Sequence, residues 1–248
     1  MSKKHFKLIF TAVFLIFCFL LFSDEDKFLA VGNVKIVRPE PLIIKREDLN
    51  ITIEKDNTVR IENLYTFFNA GEHNVKSTFM FWMDQSRYEE KQDFSNSNKN
   101  NKEKYIKNIK FYSDYKKSQN LRAVIKFSED IYEDQQYGTI QREWFAVSKI
   151  IPSSETGKLA VYYDLINTGF RQTGKFTFSF DLVNNFNEKN KAEILYINIY
   201  NKSDRKIRSI EYKGYKFKNL TKKNGLKEHY ELLAGNVSLD DRLVINFK

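Results

Sequence analysis

Few side chains in this sequence could do chemistry without help. Outside the N-terminal segment there are two histidines, His73 in the turn-like "NAGEHN" and His229 in "LKEHYELL". Neither has a second His, Asp or Glu at the spacing a metal site uses, so solvated or structural roles are expected. Glu129, Asp130, Glu133 and Asp134 could gather oxygens around calcium, but they lack the alternating spacing and the glycine of a calcium loop. They read as a solvated loop, and Asp240 and Asp241 as turn formers before the last strand. Serine chemistry has no G-x-S-x-G and phosphate binding no glycine-rich loop, in a chain with 9 glycines to spend on either. A glycosidase needs two carboxylates about 5 to 9 Å apart across a cleft, and no local motif proposes such a pair. No catalytic residue, metal ligand or cofactor is therefore assigned. A glycan-active hydrolase, with carboxylates drawn from distant strands, stands as the alternative to a non-enzymatic protein.

What the sequence does offer is rings. Trp82, Trp144, Tyr162 and Tyr196 are the candidate binding residues, with Tyr200, Tyr212 and Tyr215 beside them. All lie in or next to alternating stretches, and several have the parity opposite to the apparent core. A flat row of rings can stack on sugars or engage a protein. The competing reading is that they pack between two sheets or two domains.

The elements that must position these rings have a period of two. Leu49, Ile51 and Ile53 alternate with polar residues, as do Val59, Ile61, Tyr65 and Phe67, then Val75, Phe79, Phe81 and Met83. The pattern returns at Leu121 to Phe127, Leu159 to Leu165, "KFTFSFDL" (175–182), Leu195 to Ile199 and Leu243 to Phe247. Strict alternation sends one parity to a core and the other to water. No stretch of ten residues carries a helical stripe. The expectation is an all-β, antiparallel β-sandwich of immunoglobulin-like or related type. "NAGEHN", "SSETGK", "NTGF", "KNG" and "AGN" supply its turns. In "VRIENLYTFFNAGEHNVKSTFMFW" (59–82), Phe67, Phe79 and Phe81 are expected in the core, and Trp82 on the opposite parity with Thr66, Thr78 and Met80. Two longer polar stretches interrupt the pattern: 84–104 reads as a mobile surface loop, and 128–143, with Tyr132 and Tyr137, as a partly ordered segment. A boundary near 167–174 divides a sandwich domain (33–172) from a smaller β unit (173–248).

The opening "MSKKHFKLIFTAVFLIFCFLLFSDEDK" has a basic start, an apolar run from Leu8 to Phe22 and an acidic continuation. About fifteen apolar residues suit a signal-peptide core, where a spanning helix needs about twenty. Residues 1–23 are thus expected to be a signal peptide or, if uncleaved at Ser23, a membrane anchor through residues 8–22. Cys18, the one cysteine, has Phe17 before it where lipidation needs a small residue, and reads as part of that apolar run. The rest of the chain then has no disulfide and no thiol nucleophile. Forty-one Lys and Arg against 32 Asp and Glu give a net charge of +9, but basic and acidic residues are interspersed instead of forming a stripe. Nucleic acid is accordingly not an expected partner.

Four pieces, "VGNVKIV" (31–37), "REDLNITI" (46–53), "YTFFNAGEHNV" (65–75) and "STFMFWM" (77–83), resemble a group of uncharacterised exported bacterial proteins. "REWFAVSKIIPSSETGKLAVYYDL" (142–165) is a second match. Where that family ends its third strand with prolines, this chain has "FWMDQ". The resemblance covers about half the chain and implies a secreted β-sandwich, with no site residues to carry over. The expected role is a non-enzymatic binding or structural protein of the cell envelope, periplasmic or at the cell surface. Its expected partner is an envelope protein or a glycan, with membrane contact only through an uncleaved N-terminal segment.

Overall fold

The computed structural model describes residues 28–38, 40–56, 58–87, 106–122, 125–134, 138–166, 177–183, 191–221 and 227–248. The expected signal or anchor segment, 1–23, lies outside the described residues, as do residues 88–104 of the expected loop 84–104. The strands in chain order are β1 (Phe28–Gly32), β2 (Lys35–Ile36), β3 (Leu42–Ile53), β4 (Val59–Asn69), β5 (Val75–Arg87) and β6 (Ile106–Tyr112). Next come β7 (Asn120–Leu121), β8 (Ile125–Asp134), β9 (Gly138–Ile151), β10 (Thr156–Leu165) and β11 (Thr177–Asp181). The last are β12 (Lys191–Asn201), β13 (Ile207–Glu211), β14 (Lys218–Asn219), β15 (Glu228–Ser238) and β16 (Arg242–Phe247).

These strands make an all-β sandwich of two sheets. The first sheet runs β13-β16-β11-β1-β5-β9-β8, with β2 beside β5, and the second runs β14-β15-β12-β3-β4-β10-β6-β7. Alternation fixes which side chains meet between them. Odd-numbered residues of β4 and β5 point inwards, and Phe67 stacks on Phe79 across the interior at 4.9 Å, with Phe81 against Tyr163 at 4.6 Å. Phe178, Phe180 and Leu182 are buried, as are Leu195, Ile197, Ile199, Leu243, Ile245 and Phe247. The turn after β4 is a corner between sheets and not a hairpin. Asn69 organises it from a fully buried position, donating to the carbonyls of His73 and Ile151 and accepting from the Gly71 amide.

Two pairings depart from the antiparallel expectation: β1 runs parallel to β11, and β3 parallel to β12. Hydrophobic period reports which face a residue takes, not which strand lies beside it, so this was invisible in the sequence. The same seams locate the expected division. Strands from 173–248 do not make sheets of their own; β11, β13 and β16 extend the first sheet, and β12, β14 and β15 the second. One apolar core passes through both parts. β1 also lies before residue 33, the expected start of the sandwich.

Two further stretches differ from the reading by period. The run Leu121 to Phe127 is not one strand, because β7 ends at Leu121 in the second sheet and β8 begins at Ile125 in the first. Phe127 then faces outwards and is 41% exposed. The polar stretch 128–143 forms most of the β8–β9 hairpin, with residues 135–137 outside the described set. β8 is an edge strand whose described side chains are exposed on both faces, so neither face is marked by a core.

Candidate functional site

The outer face of the second sheet carries the most extended set of polar and aromatic side chains. Register places them in cross-strand rows six strands wide, about 24 Å at the usual strand spacing. The central row is Glu231, Asn198, Asn50, Glu62, Tyr162 and Lys110. On one side runs Leu233, Tyr196, Asp48, Leu64, Ala160 and Tyr112; on the other run His229, Tyr200, Thr52, Arg60, Asp164 and Lys107. A stripe of amides and carboxylates is thus bordered by tyrosines.

Local bonds hold the far end of this face in place. The Tyr196 hydroxyl donates to Glu231 Oε2 at 2.6 Å, which pushes the phenol's pKa up, and Arg46 sits 5.7 Å from its ring. Tyr200 stacks on His229 with centroids 4.4 Å apart. His229 is buried, and desolvation lowers its pKa. Asn198 donates to Asn50 Oδ1 at 3.0 Å, leaving its own Oδ1 3.3 Å from His229 Nε2. His229 is therefore a structural histidine under a tyrosine. His73 stands exposed in its corner turn.

At the near end the face becomes concave. A groove of about 270 Å³ opens between β4, β10 and β6, with Tyr162 and Tyr112 among its lining residues. The two rings meet edge to face at 5.6 Å. A bulge in β6 shapes the groove: Asn108 takes a positive φ of 58°, which asparagine tolerates, and its amide donates to Asp164 Oδ2 at 3.0 Å. Arg60 donates to the other oxygen, Asp164 Oδ1, at 2.9 Å. The turn after β6 folds back as a wall, closed by Ser118 bonding to Asp114 through both backbone and hydroxyl. From it Tyr115 reaches Thr66 at 2.6 Å, its pKa pushed up to about 12 by desolvation, and Lys117 places its ammonium 4.0 Å from the Tyr162 centroid.

Trp82 and Trp144 lie elsewhere, side by side on the outer face of the first sheet. The Arg142 guanidinium stands 4.2 Å from the Trp82 ring and 5.5 Å from Trp144, and is held by both oxygens of Asp84 at 2.6 and 2.8 Å. Lys35 covers Trp82 at 5.4 Å, its pKa lowered by burial and by the nearby Arg142. Trp144 donates to Glu129 at 2.6 Å and stacks with Phe127 at 6.2 Å. The resulting Lys–Trp–Arg–Trp–Phe ladder leaves Trp82 only 1% exposed and Trp144 9%. Both indoles are outside the intersheet core, yet their faces are already occupied. The structure thus brings Trp82 and Trp144 together on one face and sets Tyr162 and Tyr196 apart on the opposite face, with β3 and β4 between them. Of the further candidates, Tyr212 is buried and Tyr215 is 37% exposed beside it.

The interior contains a polar group that the ring-based reading passed over. Glu47 is fully buried and accepts from Asn33 Nδ2 and Asn63 Nδ2, each at 3.1 Å. Asn63 also donates to the Tyr65 hydroxyl at 2.6 Å, Tyr65 bonds to Asn33 Oδ1, and the Val34 amide donates to Tyr65. Desolvation pushes Glu47 up to about 7 against the pull of both amides. A signal was available: Glu47 shares parity with Leu49, Ile51 and Ile53, and Asn63 with Ile61 and Tyr65. Among the described residues no group of three or more His, Cys, Asp and Glu side chains converges as a metal site would. Glu129, Asp130 and Glu133 instead bond along the hairpin to Trp144, Gln141 and Thr139.

No family model and no curated protein matches the chain. Among solved structures it is similar to a Legionella pneumophila protein described as a putative nutrient binding protein. That likeness has 9% identity and a TM-score of 0.59, and covers 90% of this chain and 70% of that one. A lesser overlap, TM-score 0.44 at 12% identity, covers 84% of this chain and 42% of an M1 zinc metallopeptidase from Deinococcus radiodurans. At 9% identity, what this chain shares with the Legionella pneumophila protein is the fold.

Proposed function

We propose that the chain is an exported protein of the bacterial cell envelope that acts by binding and not by catalysis, holding an extended glycan across the outer face of its second sheet. The observation that carries this reading is the row of Glu231, Asn198, Asn50, Glu62 and Tyr162 between flanking tyrosines. Sugar rings present apolar faces to aromatic rings and hydroxyls to amides and carboxylates; Tyr162 with Glu231, Asn50 and Glu62 supplies both in register, and the buried Asn198 holds Asn50 from beside it. Export rests on the basic, apolar and acidic order of the first residues. The nutrient-binding description of the Legionella pneumophila protein is compatible with such a role. Glu47, the carboxylate raised to about 7, is fully buried, so it lends no support to a hydrolase reading.

The test is a glycan array and a pull-down from envelope extract with the wild-type chain, then with Tyr162→Ala and Tyr196→Ala. Each substitution is expected to weaken glycan binding about tenfold, the size of one lost ring contact. Trp82→Phe, which keeps a ring in the ladder of the other face, is expected to leave affinity unchanged. Glycan binding that survives both tyrosine changes would end this proposal.

A further inference from the structure

The charges lining the groove beside Tyr162 do not cancel. Asp164 has one oxygen committed to Arg60 and the other to Asn108, and Asp114 is committed to Ser118. Arg60 is shared between Asp164 and Glu54. Neither Lys110, paired in register with Tyr162, nor Lys117, whose ammonium lies over the Tyr162 ring, makes an ion pair with a described residue. Both are exposed, with Lys107 on the same strand and Lys116 in the same turn. Two ammonium groups that make no ion pair among the described residues therefore line the groove beside Tyr162, with Glu62 as the carboxylate on the opposite side.

From this geometry we infer that the groove is an anion subsite, taking the carboxylate or phosphate of an acidic sugar whose ring stacks on Tyr162. The inference rests on the glycan reading above and adds the ligand's charge. At about 270 Å³ the groove is smaller than the pockets that enclose drug-sized ligands, about 300 to 1,000 Å³, and suits a single ring of a longer chain lying on the sheet. The acidic group sits between Lys110 and Lys117, displacing the Lys117 ammonium from the ring face it now covers. Glu62 is placed to accept from sugar hydroxyls, and by repulsion it directs the anion towards the lysine side.

The test compares polygalacturonate, its fully methyl-esterified counterpart and dextran phosphate, each titrated into the full chain at two salt concentrations. At low salt the two acidic polymers are expected to bind about tenfold more tightly than neutral backbones, the scale of two exposed ion pairs, and high salt removes the difference. Binding of polygalacturonate alone assigns a carboxylate, and binding of dextran phosphate alone a phosphate. The double variant Lys110→Gln/Lys117→Gln, checked for an unchanged melting temperature, is expected to bind acid and ester equally. Binding of neither acidic polymer above the methyl ester by the wild type, or a preference that survives the double variant, overturns the anion subsite while leaving the glycan reading intact. Displacement of the acidic polymers by polyglutamate at matched charge also overturns it, since the groove would then be reading charge without sugar. Failure of every polysaccharide to bind removes both.

Discussion

The protein is expected to lose stability as pH rises from about 5 to 8, and Glu47→Gln to abolish most of that loss. Glu47 has an ordinary pKa of 4.5 and is raised to about 7 in the fold, chiefly by desolvation, with Asp48 adding repulsion. The folded state thus holds this proton more tightly than the unfolded chain. Glu47 is neutral and costs nothing by ionisation below pH about 4.5; through the folded value near 7 the penalty grows to roughly 3 kcal/mol. Asn63 Oδ1, on the amide whose nitrogen contacts Glu47, is buried with no hydrogen-bond partner among the described residues. His229 acts in the opposite sense, since its lowered pKa favours the fold as pH rises, and the Gln variant separates the two. Urea titrations at pH 5 and pH 8 should show the wild type and Glu47→Gln close together at the lower pH and the variant more stable at the higher. Parallel pH profiles would mean that Glu47 does not titrate in this range. Glu47→Ala, which removes an acceptor from two buried amides and opens a cavity, is expected to cost about 2 to 4 kcal/mol.

Trp82→Ala is expected to cost about 3 to 5 kcal/mol, and Gly32→Ala about 1 to 3 kcal/mol, through the same contact. A Cβ at residue 32 would stand 2.6 Å from Trp82 Cε2 and 2.9 Å from Nε1, so the indole lies flat on the bare backbone of β1. Its room to retreat is limited, because Arg142, fixed by Asp84, and Lys35 both stand against the ring. The indole N–H is buried without an acceptor among the described residues, and the ring is held by packing and cation–π attraction. In the Gly32→Ala/Trp82→Ala double variant the cost of the alanine at 32 should vanish, giving a coupling of about 1 to 3 kcal/mol in a denaturation cycle. Additive costs would show that the two sites do not press on each other.

How far the sequence reaches depends on what alternation encodes. It encodes face, and so Phe178, Phe180, Leu195 and Ile197 were legible as core and Tyr162 and Tyr196 as outward residues. Trp82 was legible as opposite to the core, but not as covered, since its cover comes from Arg142 and Lys35 on two other strands. Lys117 was beyond reach for the same reason: it meets Tyr162 only because the turn after β6 folds back over the sheet. Glu47 and Asn63 had the inward parity in plain view, yet an acid and an amide at core positions look like exceptions until their mutual bonds are seen.

The two parallel seams bear on how the molecule can be made. β1 waits for β11 and β3 waits for β12, across partners such as Asn33 and Leu182, 149 residues apart, and Asn50 and Asn198, 148 apart. Long-range closures of this kind are slow steps in folding. The second sheet of the finished chain ends in strands of two residues each, β14 and β7, which offer little for another molecule to pair with. A nascent chain that has completed β10 but not β11 has no such protection. It presents the open flanks of β1 and β3, and its hazard is association with a second unfinished copy through the edges that its own last third is shaped to occupy.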